Sequence, residues 1–189
     1  MKKFCNLKIS DHRYMAEIVN LLFKYAPDTS VGKPAKIVDI GCGRGLLGFQ
    51  LKTHFGKGVI VHGIDADFEE YFLPTVRTIY DKIARISIQE FCKLSNTKYD
   101  AIVAAHIMEH IIFEEALHIL KLLKSHSDCI IISVPKRPRK NKAYNQEPNL
   151  HSHKWGIDDE KTKLIEEIGY MKEINPKLLQ VIFVYKKEE

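Results

Sequence analysis

A short glycine-rich stretch has the residue spacing that most strongly indicates ligand binding. Gly41, Gly43 and Gly45 alternate with other residues between an apolar run and an apolar-faced helix start. Glycine has no Cβ atom, so backbone there turns sharply and lies directly against a ligand, and free N–H groups at a helix start favour polar or anionic ligand atoms. Asp39, just before the turn, adds a carboxylate that suits a ligand with positive charge or with hydroxyl and amino donors. These residues predict a ligand-binding turn between a strand and a helix.

A second carboxylate ends the next apolar run. Residues 59–65 predict a buried strand that finishes on Asp65. A carboxylate in this place accepts hydrogen bonds from both ribose hydroxyls of an adenosine. The dinucleotide fingerprint G-x-G-x-x-G fits less well, because Leu46 occupies its sixth position and the third glycine comes one residue early. An NAD enzyme would place an acid similarly, so Asp65 indicates an adenosine ligand without choosing the enzyme class.

A third candidate is the run His-Ile-Met-Glu-His at 106–110, which spells the inverted zinc-peptidase motif H-x-x-E-H. On a helix His106 and His110 would share a face, and Glu109 would serve as base. The run directly follows a predicted strand, however, and a peptidase would leave the glycine turn and Asp65 without a role. We therefore expect no metal here, with the zinc interpretation kept as an alternative.

His106 is instead the candidate catalytic base. It follows the carboxyl end of the predicted fourth strand, where ligands bind in open α/β sheets. Imidazole accepts a proton near neutral pH. The competing interpretation is a histidine that packs or caps locally, and Glu109 and His110 fit such a structural role better.

Apolar periodicity predicts the strands and helices that position these residues. The predicted strands cover residues 36–40, 59–65, 83–88, 99–105 and 129–134. The predicted helices cover residues 11–26, 45–54 and 113–124, a last helix is capped by Asp158 or Asp159 and ends at Gly169, and Pro74 breaks the signal over 67–81. Residues 170–174 and 178–185 predict a closing antiparallel pair around a turn at 175–177. This order predicts a doubly wound, Rossmann-like α/β sheet, mostly parallel with an antiparallel C-terminal strand and with helices on both faces.

Size and composition limit the classes of partner. The 189 residues, 45% of them hydrophobic, fit one domain over 1–189 that begins with an N-terminal helical region over 1–30. A net charge of +5 is too small to argue for nucleic acid by itself. The four cysteines form no Cys-x-x-Cys pair, and no apolar run suits a signal peptide or a membrane span. We therefore expect a cytoplasmic protein.

Three regions resemble one enzyme family. The spelling D-x-G-x-G-x-G over 39–45 resembles the first motif of the class I S-adenosylmethionine (SAM) dependent methyltransferases, and Gly-Ile-Asp at 63–65 resembles the second. The sequence over 99–111 resembles the fourth-strand region of the small-molecule members, where a Tyr/Phe-Asp-x-Ile-Val strand runs into a Leu/Met-Glu-His turn. The matches occur in the family's order, and the resemblance covers roughly residues 35–172.

This resemblance implies an enzyme that uses SAM as its cofactor and transfers the methyl group by in-line displacement. It implies that the glycines approach the amino-acid part of SAM, that Asp39 orients this part and that Asp65 holds the ribose. Residues 88–90 lie where the family contacts adenine, although the aspartate often found there is missing. The implied cofactor-binding residues are Asp39, Gly41, Cys42, Gly43, Gly45, Asp65, Ala66, Gln89, Glu90, Ala105 and His106.

Residues 135–157 follow the predicted fifth strand and form a long, polar, basic and unpatterned segment, which is either a functional loop or a solvated, disordered one. They leave the sheet at the same edge as the glycine turn, so we interpret them as the acceptor loop. Their basic residues are Lys136, Arg137, Arg139, Lys140 and Lys142, and the candidate acceptor-binding residues are His110, His151, His153 and Trp155. This mixture suits an anionic or aromatic acceptor.

The sequence argues weakly against two nucleic-acid chemistries. Ala-Ala-His-Ile after the fourth strand differs from the Asn/Asp-Pro-Pro-Tyr/Phe of enzymes that methylate exocyclic base amines. The Pro-Cys pair of cytosine C5 chemistry does not follow the fifth strand, where Val134-Pro135 leads to Lys136. We expect a small-molecule acceptor, with nucleic acid unsupported yet still open. The alternatives are a non-catalytic SAM- or nucleotide-binding regulatory protein, an NAD-dependent oxidoreductase and a zinc hydrolase.

Overall fold

The computed structural model describes residues 12–26, 33–67, 73–136, 154–173 and 180–187. The helices are α1 (His12–Tyr25), α2 (Leu46–Phe55), α3 (Leu73–Ile79), α4 (Ile88–Leu94), α5 (Phe113–Leu123) and α6 (Asp159–Glu167). The strands are β1 (Ala35–Ile40), β2 (Val59–Ile64), β3 (Lys82–Ala84), β4 (Ala101–Ala105), β5 (Cys129–Pro135), β6 (Met171–Glu173) and β7 (Gln180–Lys186). Within these ranges no helix is both long enough and apolar enough to cross a membrane.

The described strands form one sheet in the order β3-β2-β1-β4-β5-β7-β6. β1 pairs in parallel with β2 and β4, and β5 continues this parallel arrangement beside β4. β7 is antiparallel to both of its neighbours, β5 and β6. The predicted mostly parallel, doubly wound sheet with a reversed C-terminal strand is therefore confirmed. Because the strand order changes direction between β1 and β4, the crevice that binds ligands in such sheets opens at their carboxyl ends.

Two apolar layers cover the sheet. On one face, side chains of α1, α2 and α3 pack against alternate residues of β1 and β2, such as Ile37 and Val61. On the other face, α4, α5 and α6 pack against Val38 and Ile64. Burial on both faces explains why β4 and β5 read as continuous apolar runs without polar alternation. The predicted helices on both faces are confirmed.

The third strand is shorter than predicted, and a helix that was not predicted follows it. A strand was expected over 83–88, but β3 ends at Ala84 and α4 begins at Ile88. Ser87 accepts a hydrogen bond from the Glu90 backbone N–H, and the Glu90 side chain accepts one from the Ser87 backbone N–H. This reciprocal capping box fixes a helix start and outweighs the strand preference of the isoleucines around it.

Other boundaries agree closely with the sequence. The Asp158 side chain accepts from the Lys161 backbone N–H and so caps α6, as expected. α3 begins one residue before Pro74, in the helix turn where proline is tolerated. The turn predicted at 175–177 lies outside the described residues.

Candidate functional site at the carboxyl edge of the sheet

The glycine turn follows β1 and is fastened to the end of β2. The backbone N–H groups of Gly41 and Cys42 both donate to the Ile64 carbonyl, at 2.8 and 3.0 Å. Gly41, Gly43 and Gly45 have φ angles of 74°, 47° and 84°, in the left-handed region that favours glycine. A Cβ atom on Gly43 would find the Gly41 carbonyl oxygen, 4.0 Å away, as its nearest neighbour outside the adjoining residues. At Gly43 the turn therefore presents bare backbone to open space.

Ile107, which follows β4, closes against this turn. A Cβ atom on Gly41 would lie only 1.9 Å from the Cδ1 atom of Ile107, so glycine is needed there for packing as well as for its φ angle. The isoleucine brings an apolar wall to the glycine turn. Sequence reasoning missed Ile107, because an apolar pair after a strand, here Ile107 and Met108, carries no distinctive signal of a ligand site.

Asp65 lies beside the turn, as the sequence predicted from its place at the end of β2. Its Oδ2 accepts from the Gly43 backbone N–H at 2.8 Å, and its Oδ1 accepts from the Asp67 backbone N–H at 2.9 Å. These two bonds fix the orientation of a half-buried carboxylate. Each carboxylate oxygen retains a lone pair, so Asp65 is able to accept further hydrogen bonds from a ligand.

Asp39 lies deeper, at the back of the turn, with only 3% of its surface exposed. Its Oδ2 accepts a hydrogen bond from the Tyr80 hydroxyl at 2.6 Å. Burial raises the pKa of Asp39 to about 7; the tyrosine hydrogen bond lowers it, and the negative charge of Asp65 raises it. Sequence reasoning missed Tyr80, since it lies within the irregular segment 67–81 and reaches Asp39 only through the tertiary fold.

His106 comes directly after β4 on a strained stretch of backbone. Its φ angle is 60°, the one positive value among the described non-glycine residues. Its backbone N–H donates to the Ser133 carbonyl at 3.1 Å, and its Nδ1 lies 3.0 Å from Oε1 of Glu109. Glu109 is fully buried. Strained residues held by surrounding contacts concentrate at functional sites, and this one lies at the crevice.

The described end of the acceptor segment packs beside the His106 turn. The Lys154 backbone N–H donates to the Glu109 carbonyl at 2.7 Å, and the Trp155 indole N–H donates to the Ile111 carbonyl at 2.8 Å. Trp155 is buried and packs edge-on against Phe113. His110 lies in the 3₁₀ turn between Glu109 and Ile111. His151 and His153 lie outside the described residues, as do Arg137, Arg139, Lys140 and Lys142.

The remaining cofactor candidates occupy two places. Ala105 ends β4 and Ala66 follows Asp65, whereas Gln89 and Glu90 lie in the first turn of α4. The Gln89 side chain donates to Glu115 at 3.0 Å, and the Glu90 carboxylate accepts from Ser87 at 2.8 Å. The fold thus brings Asp39, Asp65 and the glycines together, while the side chains of Gln89 and Glu90 already have partners elsewhere.

Among the residues that the structure describes, no group of three His, Cys, Asp or Glu side chains is placed to hold a metal ion. Within the H-x-x-E-H run, Nδ1 of His106 lies within hydrogen-bond distance of Glu109.

The sequence matches no protein-family model and no curated protein, whereas the structure resembles solved structures of methyltransferases. Magnesium protoporphyrin IX methyltransferase from Synechocystis PCC 6803 is 17% identical over 93% of this chain and 79% of its own, with a TM-score of 0.60. A SAM-dependent methyltransferase from Archaeoglobus fulgidus is 18% identical over 94% and 95% of the two chains, with a TM-score of 0.63. The small RNA methyltransferase HEN1 is 17% identical over 94% of this chain but only 25% of its own, with a TM-score of 0.64.

These likenesses extend over nearly the whole chain at low sequence identity. The chain therefore has the class I fold of the SAM-dependent methyltransferases.

Proposed function

We propose that the protein binds SAM and transfers its methyl group to an acceptor by in-line displacement. The observation that carries this proposal is the glycine turn at the carboxyl end of β1, which is open at Gly43. The Gly43 backbone N–H donates a hydrogen bond to the carboxylate of Asp65, which follows β2. That edge is where ligands bind in this class of sheet. The shared fold of known SAM-dependent methyltransferases supports the same ligand.

The donor set of this site fits SAM. Bare backbone at Gly43 lets the amino-acid part approach closely, and the oriented carboxylate of Asp65 suits the two ribose hydroxyls. Asp39 supplies a carboxylate behind the turn, and Ile107 an apolar wall in front of Gly41. SAM, when bound, supplies a methyl group already activated by the sulfonium. The chain's own task is then to hold donor and acceptor in line and to exclude water.

His106 is proposed as the base for an acceptor that must lose a proton. The hydrogen bond from its Nδ1 to the buried Glu109 would orient the ring and stabilise the imidazolium formed when a proton is taken up. A His106→Ala variant is expected to lower turnover by about 10²–10⁴-fold, the usual contribution of such a base. Turnover unchanged by this substitution would instead assign His106 a structural role.

A small molecule is the proposed acceptor, with residues 135–157 forming its side of the crevice. Trp155 anchors the end of this segment next to the His106 turn, which supports the assignment. The neighbours include enzymes named for a porphyrin and for small RNA. Labelled SAM, incubated with the protein and separately with small-molecule and RNA fractions of a cell extract, would identify the acceptor class from the labelled product.

Calorimetric titration tests the cofactor. SAM should bind, and Asp65→Ala should weaken binding by about 1.5–3 kcal/mol, the value of charge-assisted hydrogen bonds. Asp128→Ala is the matched control, because this exposed aspartate precedes β5 at the opposite edge of the sheet. Binding of NADH without SAM would favour an oxidoreductase. SAM binding with no labelled product from any fraction would favour a regulatory SAM-binding protein.

A further inference from the structure

Tyr80 occupies a cradle made largely of glycines. Its ring is 5% exposed. A Cβ atom on Gly48 would lie 2.4 Å from the ring, one on Gly63 would lie 3.1 Å from it, and one on Gly45 would lie 3.4 Å from it. These glycines belong to α2, to β2 and to the glycine turn itself. Three separate parts of the fold therefore leave room for one aromatic ring.

The cradle aims the tyrosine hydroxyl at one target. The hydroxyl donates to Oδ2 of Asp39 at 2.6 Å, and this bond is buried. Asp39 is the penultimate residue of β1 and lies between Gly63 of β2 and Val103 of β4 in the register of the sheet. The orientation of the Asp39 side chain is therefore set by the place of this residue in β1 and by the hydrogen bond from the Tyr80 hydroxyl.

Within the part of the chain that the structure describes, the titratable groups found to interact with Asp39 are Tyr80, Asp65 beyond β2, and Cys42 in the glycine turn. None of these three groups is a cation. Burial therefore favours the neutral carboxyl and raises the pKa of Asp39 to about 7, whereas the tyrosine hydrogen bond favours the carboxylate.

SAM would bring the missing positive charge, since its methionine part carries an ammonium and a sulfonium. We propose that Tyr80 is a positioning residue of the cofactor site: its hydroxyl orients Asp39 and favours the carboxylate form that binds this cationic part, so that a neutral Asp39 releases its proton to solvent when the cofactor binds. The inference rests on the proposed function and goes beyond it, because it assigns a role to a residue outside the glycine turn.

The direction of the pH dependence follows from linkage. A bound cation lowers the pKa of Asp39 in the complex below its value in the free protein. Affinity is then highest above the pKa of the free protein, about 7, and falls as the pH drops towards the pKa of the complex. In that window, up to one proton is released for each SAM bound.

Calorimetric titration of the full chain with SAM, from about pH 5.5 to 8.5, measures this dependence. Repeating it in two buffers of different ionisation enthalpy counts the protons released. We expect tighter binding above neutral pH and proton release below it. Asp39→Asn should bind SAM more weakly with a flat pH profile, because its amide does not titrate in this range.

Tyr80→Phe keeps the ring in its cradle and removes the hydroxyl. Without that hydrogen bond the pKa of Asp39 rises further, so the midpoint of the affinity profile should move to higher pH. At neutral pH, affinity should fall on the order of tenfold, a typical effect of a hydrogen bond to a charged group, and higher pH should restore it. Tyr170→Phe is the matched control, because this buried tyrosine donates to the Leu120 carbonyl on the other face of the sheet.

Several outcomes would reject the inference. A flat wild-type profile without proton release would do so, as would a Tyr80→Phe variant that keeps the wild-type midpoint or weakens equally at every pH. Should Tyr80→Phe fail to fold, the number of protons that the wild type releases and the pH profile of SAM affinity for Asp39→Asn still decide whether cofactor binding is linked to the Asp39 proton. Failure of wild-type protein to bind SAM at any pH would reject the proposed function itself, whereas SAM binding with an unchanged midpoint would reject the role of Tyr80 alone.

Discussion

At Asp39, burial and charge oppose each other within a single side chain. The carboxyl group is nearly inaccessible, it accepts a hydrogen bond from a neutral phenol, and the negative charge of Asp65 acts on it. A purely structural position would favour an uncharged residue, since burying a carboxylate without a cation costs stability. The same arrangement becomes favourable once a cationic ligand occupies the crevice.

Asp39→Asn should therefore change how stability depends on pH. Because the pKa of Asp39 in the folded protein is raised from 3.8 to about 7, its contribution to stability is complete below the pKa of the unfolded chain and is lost as the pH rises to about 7. Between about pH 5 and pH 7, the wild type should lose roughly 2 kcal/mol relative to Asp39→Asn. Urea unfolding at a series of pH values measures this difference.

An exposed aspartate provides the control for that series. Asp128 is 66% exposed in its side chain, so Asp128→Asn should follow the wild-type curve closely. Parallel curves for wild type and Asp39→Asn would show that Asp39 stays ionised in the folded protein over this range.

At the scale of the element, α2 shows a conflict between local preference and packing. Gly48 lies within the helix, where alanine would ordinarily be about 1 kcal/mol more favourable. A Cβ atom there would meet the Tyr80 ring at 2.4–2.7 Å. The ring is buried and hydrogen-bonded, so it has no free path away from the contact.

Gly48→Ala should consequently destabilise the protein despite its helix propensity. Overpacking of this kind costs about 1–3 kcal/mol, and displacement of Tyr80 should also weaken SAM binding. Thermal and urea unfolding measure the first effect, and calorimetry measures the second. Gly58→Ala is the matched glycine control, because a Cβ atom there meets nothing within 4 Å. A stabilised Gly48→Ala variant would contradict the packing argument.

At the scale of the whole molecule, β7 completes the sheet by running between β5 and β6. Phe183 of β7 is fully buried and lies opposite Ile132 of β5 in the register. It belongs to the apolar layer that includes residues of α4, α5 and α6. The reversed strand therefore supports the β5 side of the crevice through its packing.

Phe183→Ala should lower the free energy of unfolding by about 3–5 kcal/mol, the cost of truncating a buried aromatic side chain. Leu94→Ala is the control for general side-chain loss, since Leu94 is 73% exposed and its truncation should change stability by less than about 0.5 kcal/mol. Urea unfolding compares the two variants. Equal effects would show that β7 contributes little to the core.

Much of this arrangement was readable in local sequence. The glycine turn, Asp65 at the end of β2 and His106 after β4 depend on residues next to one another in the chain. The alternation of apolar runs and helical patterns then indicated the parallel sheet. The placing of these residues at one edge followed from this pattern, because the carboxyl ends of parallel strands meet at the same edge of a sheet. The assigned roles of these residues in ligand binding stay predictions.

One local signal was read wrongly. The isoleucines of 83–88 resemble a strand, yet the Ser87 and Glu90 capping box starts a helix within that run. The signal was present in the sequence, and its two reciprocal hydrogen bonds outweigh a strand preference that depends on neighbours for its strength.

The sequence by itself determined most of the elements, their order along the chain and the polar residues that follow the strands, because each depends on contacts within a few positions of the chain. Only the tertiary structure decided that Tyr80 bonds Asp39, that Ile107 covers Gly41 and that the carboxylate of Glu109 is buried against His106. The first two contacts join residues from different elements across the crevice, and the burial of Glu109 depends on the segments packed around it. Such packing depends on how whole helices and strands fit together, and a pattern of neighbouring residues does not predict it.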